Sequence, residues 1–196
     1  MYPIMPTELK PHLDRLETEL VRAYVRWINF RHLFAEGPER IELLNRVAPS
    51  FFGVLQEVML DELVMVLARM TDKRRDTLNL QTLIRDLGAG TKPEFVAQME
   101  DRLNRVTAAV EMIRDHRDRR VAHLKLKTAV TTDPEVSLGF SRQSITDALA
   151  QVGGFVNQIR KHFGEPYRVF EETTTERGDA GFLVSQLRKL PIANRD

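Results

Sequence analysis

Cysteine is absent from the chain. That absence excludes disulfides, thiolate nucleophiles, iron–sulfur clusters and cysteine-based zinc sites, and it is compatible with the cytosol. Long apolar runs are also missing: none reaches the roughly 18 residues that a membrane span needs. The opening MYPIMPTELKPHLDRLETEL mixes acidic and basic side chains early and lacks the apolar centre of a signal peptide. A cytoplasmic protein without membrane contact is the expectation. An excess of one charge is lacking too. At a net charge of +1, any attraction to nucleic acid must come from a local patch. There is no GxxxxGKS/T loop, no GxSxG elbow and no HExxH pair, and Gly88-Ala89-Gly90 reads more simply as a helix stop than as a phosphate cradle.

What is present suits a globular protein. The 196 residues are 42% hydrophobic and 29% charged, enough for one domain with a sizeable core and a tail. Three- and four-residue apolar steps recur along the chain and predict helices over 9–34, 49–70, 93–117 and 141–163. The first carries Leu9, Leu13, Leu16, Leu20, Tyr24, Trp27 and Phe34. Pro11 is tolerable only in its first turn. Tyr24, Trp27 and Phe30 are candidates for either core or interface. Gly37-Pro38 ends this helix, and ERIELLNRV makes a short second one.

Pro49 opens PSFFGVLQEVMLDELVMVLARMTD, which is apolar nearly all round and is therefore expected to be the buried central helix. LNLQTLIRDLGAG is shorter, with Gly88 as its stop. Pro93 and Ser141 start the last two long helices. Gly153-Gly154 interrupts the last at about 1 kcal/mol per glycine relative to Ala, so it must serve close packing or a bend. TAVTTDPEVSLGF reads as a loop, EETTTERGDA as a polar linker, and GFLVSQLRKL as a short terminal helix. The fold class is all-α: a helical bundle of four main helices with short accessory helices. The expected core comprises Phe52, Leu55, Met59, Leu63, Val66, Leu103, Val106, Val110, Leu149, Val152 and Val156.

The chemistry is concentrated in residues 114–127, RDHRDRRVAHLKLK. Six Arg or Lys against two Asp leave a local charge of +4 with both His neutral. As an RNA- or anion-binding surface it is made by Arg114, Arg119, Arg120, Lys125 and Lys127 together with Arg117, and its binding should weaken steeply with salt. A metal site is not expected. No two of the five His stand three or four residues apart, and the carboxylates nearest His116 and His123, Asp115 and Asp118, are flanked by arginine.

Arg117 and His123 are the residues suited to phosphodiester chemistry. A histidine that titrates near neutral pH can move a proton, and a fixed guanidinium can stabilise charge on phosphorus oxygens. In a strict α-helix the six-residue step turns them about 120° apart, so both reach one cleft only if the helix loosens after Arg120. The competing reading is structural: a helix C-terminus favours cations, and His123 between Ala122 and Leu124 is then a partly buried, hydrogen-bonded side chain.

RDRRVAH resembles the signature of the HEPN superfamily, an arginine followed by a polar residue and, after four to six residues in all, a histidine. Asp118 takes the polar place, and five residues separate Arg117 from His123. FFGVLQEVMLDELVMVLARMTDKRRDTLNLQTLIRDL is similar to helices of the abortive-infection, AbiU-like branch of that superfamily. There a long apolar helix ends in Leu/Met-Thr-Asp and a short Leu-containing helix follows; Ala122-His123 is also typical. The resemblance covers roughly residues 45 to 165.

The resemblance implies a HEPN-like helical domain over 1–170, followed by 171–196 as a polar linker and a short helix packing on or extending from the bundle. It implies a homodimer with two motifs facing one cleft. It also implies a metal-independent endoribonuclease without cofactor, in phage defence or a toxin–antitoxin system, with Arg117, Asp118 and His123 as catalytic residues. RNA is the expected partner, with an antitoxin protein as a further candidate. The alternative is a non-catalytic helical module that binds RNA, nucleotide or protein through the same patch, because one fold hosts many functions.

Overall fold

Helices begin where the chain supplies a start signal. In the computed structural model, which describes residues 2–116, 140–173 and 178–189, α1 spans Leu9–Phe34, with Pro11 inside its first turn and the Leu9 N–H donating to the Pro6 carbonyl at 3.1 Å. Gly37, at φ 106°, reverses the chain where a side chain would be strained. Pro38 and Pro49 then open α2 (Pro38–Val47) and α3 (Pro49–Met70) at the position where no N–H is needed. Asn79 caps α4 (Leu80–Arg85) by accepting from the Thr82 N–H, and α5 runs Pro93–His116.

Ser141 and Ser144 form a reciprocal capping box at the head of α6 (Arg142–His162). A 3-10 turn over Phe170–Glu172 precedes α7 (Ala180–Leu187), which Asp179 caps. There is no strand among the described residues, and the class is all-α. The long helices fall within a residue of the expected limits. Residue 117, most of the expected loop over 128–140, and residues 174–177 of the linker lie outside the described residues.

The helix at the centre is α1, not α3. It touches α2, α3, α4, α6, α7 and the 3-10 turn, whereas α5 packs on α3, α4 and α6. The expectation of an α3 buried on most sides fails in its first half, where Phe51, Val54 and Val58 are 61%, 61% and 56% exposed. Composition announced an apolar helix but not which faces meet a partner. There Phe52 and Leu60 turn inward, and the opposite stripe is left uncovered. For the same reason Leu55, Met59 and Leu103 of the expected core are only partly buried; the other expected core residues are buried. Tyr24, Trp27 and Phe30 lie wholly within the core.

Gly153 serves close packing. A β-carbon there would stand 3.2 Å from the Phe170 ring and 3.6 Å from the Tyr24 hydroxyl. Phe170 fills that notch and stacks on Tyr24 with centroids 6.0 Å apart. The chain leading to it is clamped by Asn157, whose amide donates to the Arg168 carbonyl at 2.8 Å and accepts from its N–H at 2.9 Å. Beneath the clamp the buried Glu17 accepts from Arg160 at 2.6 Å and Arg168 at 3.1 Å. α7 docks on α1, with the Ala180 N–H donating to Asn29 Oδ1 at 2.8 Å and Val184 buried.

Candidate functional site

Among the described residues, polar chemistry gathers where α3 ends. Thr71 is buried, and its hydroxyl donates to the Leu67 carbonyl at 3.0 Å, closing the helix. The Arg114 guanidinium reaches across from α5 and donates to the Thr71 carbonyl at 2.6 Å and hydroxyl at 2.7 Å. One terminal nitrogen of Arg114, a residue of the expected RNA-binding patch, ties the last turns of α5 to the end of α3. The remaining predicted site residues, Arg117, Asp118, Arg119, Arg120, His123, Lys125 and Lys127, lie outside the described residues. α5 delivers the chain to their first member, since His116 is its last residue.

The loop after Thr71 is built rather than slack. Asp72 accepts from the Arg74 N–H at 3.2 Å and Nε at 2.9 Å. Burial pushes the Asp72 carboxyl up, but the bonds and charge of Arg74, with the Lys73 N–H, outweigh it and hold the group below its ordinary value. The Asn79 amide donates to the Arg74 carbonyl at 2.8 Å while its oxygen caps α4. Thr82 donates to the Thr77 carbonyl at 2.9 Å. Arg85 donates to the Thr82 hydroxyl at 2.7 Å and the Arg75 carbonyl at 3.3 Å.

This loop, α4 and one face of α5 enclose an open cleft of about 520 Å³. Lys73, Arg75 and Arg85 line it, and among the described residues none of them pairs with an acid. Gln81, Asn104 and Thr107 add amide and hydroxyl groups, over Leu103 and Ala108. Sequence reasoning did not find this site. Its signal was the run KRRD shortly after the apolar helix, a second cluster of cations outside residues 114–127.

Three histidines, His12, His32 and His162, have contacts away from this cleft. His12 Nδ1 meets Asp86 at 2.7 Å, and His32 lies 3.8 Å from both Glu36 and Asp179. The His162 ring stacks on Phe95 with centroids 3.7 Å apart, and burial, then the charge of Lys92, pushes its pKa below the usual histidine value. Tyr24 donates to Glu171 at 3.0 Å; burial first, and then the charge of Glu171, pushes its hydroxyl well above the ordinary tyrosine range. No group of His, Asp and Glu able to hold a metal ion occurs among the described residues, and no helix there is long and apolar enough to cross a membrane.

A protein-family model, HEPN_AbiU2 (AbiU2), matches residues 6–181. The matched span takes in α1 to α6, the cleft, the stretch RDRRVAH and the start of α7. No curated protein and no solved structure gives a significant match.

Proposed function

The chain belongs to the HEPN_AbiU2 family, and from that premise we propose that it is a metal-independent endoribonuclease of the abortive-infection type, acting in phage defence or a toxin–antitoxin system. The observation that carries this reading is the intact RDRRVAH spacing, Arg117 to His123, inside the matched span and directly after α5. His123 takes the proton from the RNA 2′-OH. The 2′-oxygen attacks phosphorus, the bond to the 5′-oxygen breaks, and the departing oxygen takes up a proton. Arg117 stabilises the charge on the non-bridging oxygens, as a preorganised cation should. Asp118, between two arginines, orients its neighbours and stays ionised. The nucleophile belongs to the substrate, so the step itself calls for no metal.

A homodimer, a cytoplasmic location and an antitoxin partner go with this reading. The second reading, a module that binds RNA without cutting it, draws support from the basic cleft, which needs no catalytic residue. Incubation of pooled RNA with the purified protein in EDTA separates the two. Cleavage that disappears in His123→Ala supports the nuclease; intact RNA that nevertheless binds the parent protein supports the module.

A further inference from the structure

The cleft between the α3–α4 loop, α4 and α5 has the size and chemistry of a ligand site. At about 520 Å³ it lies within the ~300–1,000 Å³ of small-ligand pockets. Its cations are unbalanced. Asp72 is already engaged by Arg74, and Lys73, Arg75 and Arg85 have no acidic partner among the described residues. Lysine and arginine in that state are suited to phosphate oxygens. Glu111 also lines the cleft. A phosphate is repelled by its carboxylate and attracted to Lys73, Arg75 and Arg85.

Gln81 and Asn104, which also line the cleft, offer carboxamides that can both donate to and accept from a base edge. No aromatic ring lines the cleft, so stacking contributes nothing and the phosphate contacts must dominate. The position is equally informative. From Glu111 to His116 α5 rises only ~7.5 Å, and Arg117 is the next residue. The cleft therefore lies beside the second half of α5, the helix that precedes RDRRVAH in the sequence.

We infer that the cleft is a subsite for single-stranded RNA, holding one backbone phosphate on Lys73, Arg75 and Arg85 and the adjoining base on Gln81 and Asn104. The inference rests on the reading that RNA is the substrate, though not on its being cut. It assigns the KRRD run a task distinct from cleavage: it fixes the strand upstream or downstream of the scissile bond.

The test is fluorescence anisotropy with a short fluorescein-labelled single-stranded RNA of mixed sequence, on the full chain carrying His123→Ala so that the RNA survives. Adding K73E and R75E should weaken binding by roughly tenfold or more. It should also lower the slope of log affinity against log salt by about 0.7, the amount expected for one lost phosphate on a single strand. Both side chains are exposed, so the melting temperature should stay unchanged. Asn104→Ala should weaken binding without changing the slope. Unchanged affinity and slope in the K73E/R75E variant would overturn the subsite, and so would a parent chain that binds no RNA. Cleavage is read separately with His123 intact. Loss of RNA binding in K73E/R75E alongside a parent that never cuts supports the subsite and removes the nuclease.

Discussion

Single residues carry two kinds of burden in this protein, and charge alone does not distinguish them. Arg114 belongs to the expected basic patch and also has a structural tie. Its hydrogen-bond partner Thr71 is 43 positions away, which no local pattern reveals. Glu17 is a comparable case. It reads as one more exposed acid on a helix, yet its side chain is 4% exposed and holds two arginines. Glu17→Ala would remove the carboxylate 2.6 Å from the largely buried Arg160 and leave that guanidinium to the more distant Glu165, at 3.6 Å. We expect a loss of about 3–5 kcal/mol, measurable by urea denaturation, with the far-UV spectrum of the remaining folded protein unchanged.

His162 sets an acid limit. Its folded pKa is depressed by burial and by Lys92, so the folded state disfavours the proton. The stability that follows from its neutral form is therefore present above the ordinary histidine value near 6.5 and is lost as pH falls through that value toward the folded one. His162→Gln should flatten the fall in melting temperature between about pH 7 and pH 5. An unaltered pH profile would mean that the acid limit comes from other groups.

Elements were the most legible level. Prolines at the first helical position, the Ser141 cap and Gly37 are local signals, and local signals fix helix limits without knowledge of the partners. What they do not fix is who lies next to whom. α3, the most apolar of the long helices, is peripheral along its first half, while the mixed α1 is central, because the partners of a face are set by topology rather than composition. Gly153-Gly154 left close packing and a bend both open; Phe170, brought in by the Asn157 clamp, settles the matter for Gly153. Gly153→Leu must displace that ring. It should cost about 1–3 kcal/mol despite leucine's better helix propensity, read as a lower denaturation midpoint. A more stable variant would show that the notch is not needed.

At the scale of the whole molecule, Phe51, Val54 and Val58 form the exposed stripe of large apolar side chains on a long helix among the described residues. The homodimer proposed above needs such a surface, since large apolar patches on soluble proteins commonly mark contacts. Phe51→Glu with Val58→Glu should shift the light-scattering mass from dimer to monomer while helicity stays the same. A parent chain that is monomeric at micromolar concentration would remove both the dimer and a cleft shared between two motifs. The candidate site was legible in parts. RDRRVAH announces itself by spacing, whereas the cleft depends on residues from the α3–α4 loop, α4 and α5 that come together only in the folded chain.

The central claim is that His123 and Arg117 direct the attack of an RNA 2′-OH. The most direct measurement uses a DNA oligonucleotide carrying one ribonucleotide at the mapped cut site, in the presence of EDTA, with the product ends identified by mass spectrometry. The account predicts a 2′,3′-cyclic phosphate and a 5′-hydroxyl, no reaction when that sugar is 2′-deoxy, and a rate loss of about 10²–10⁴ in His123→Ala, with a much smaller loss in His116→Ala. Cleavage of the all-deoxy strand, or an undiminished rate with alanine at 123, would contradict it.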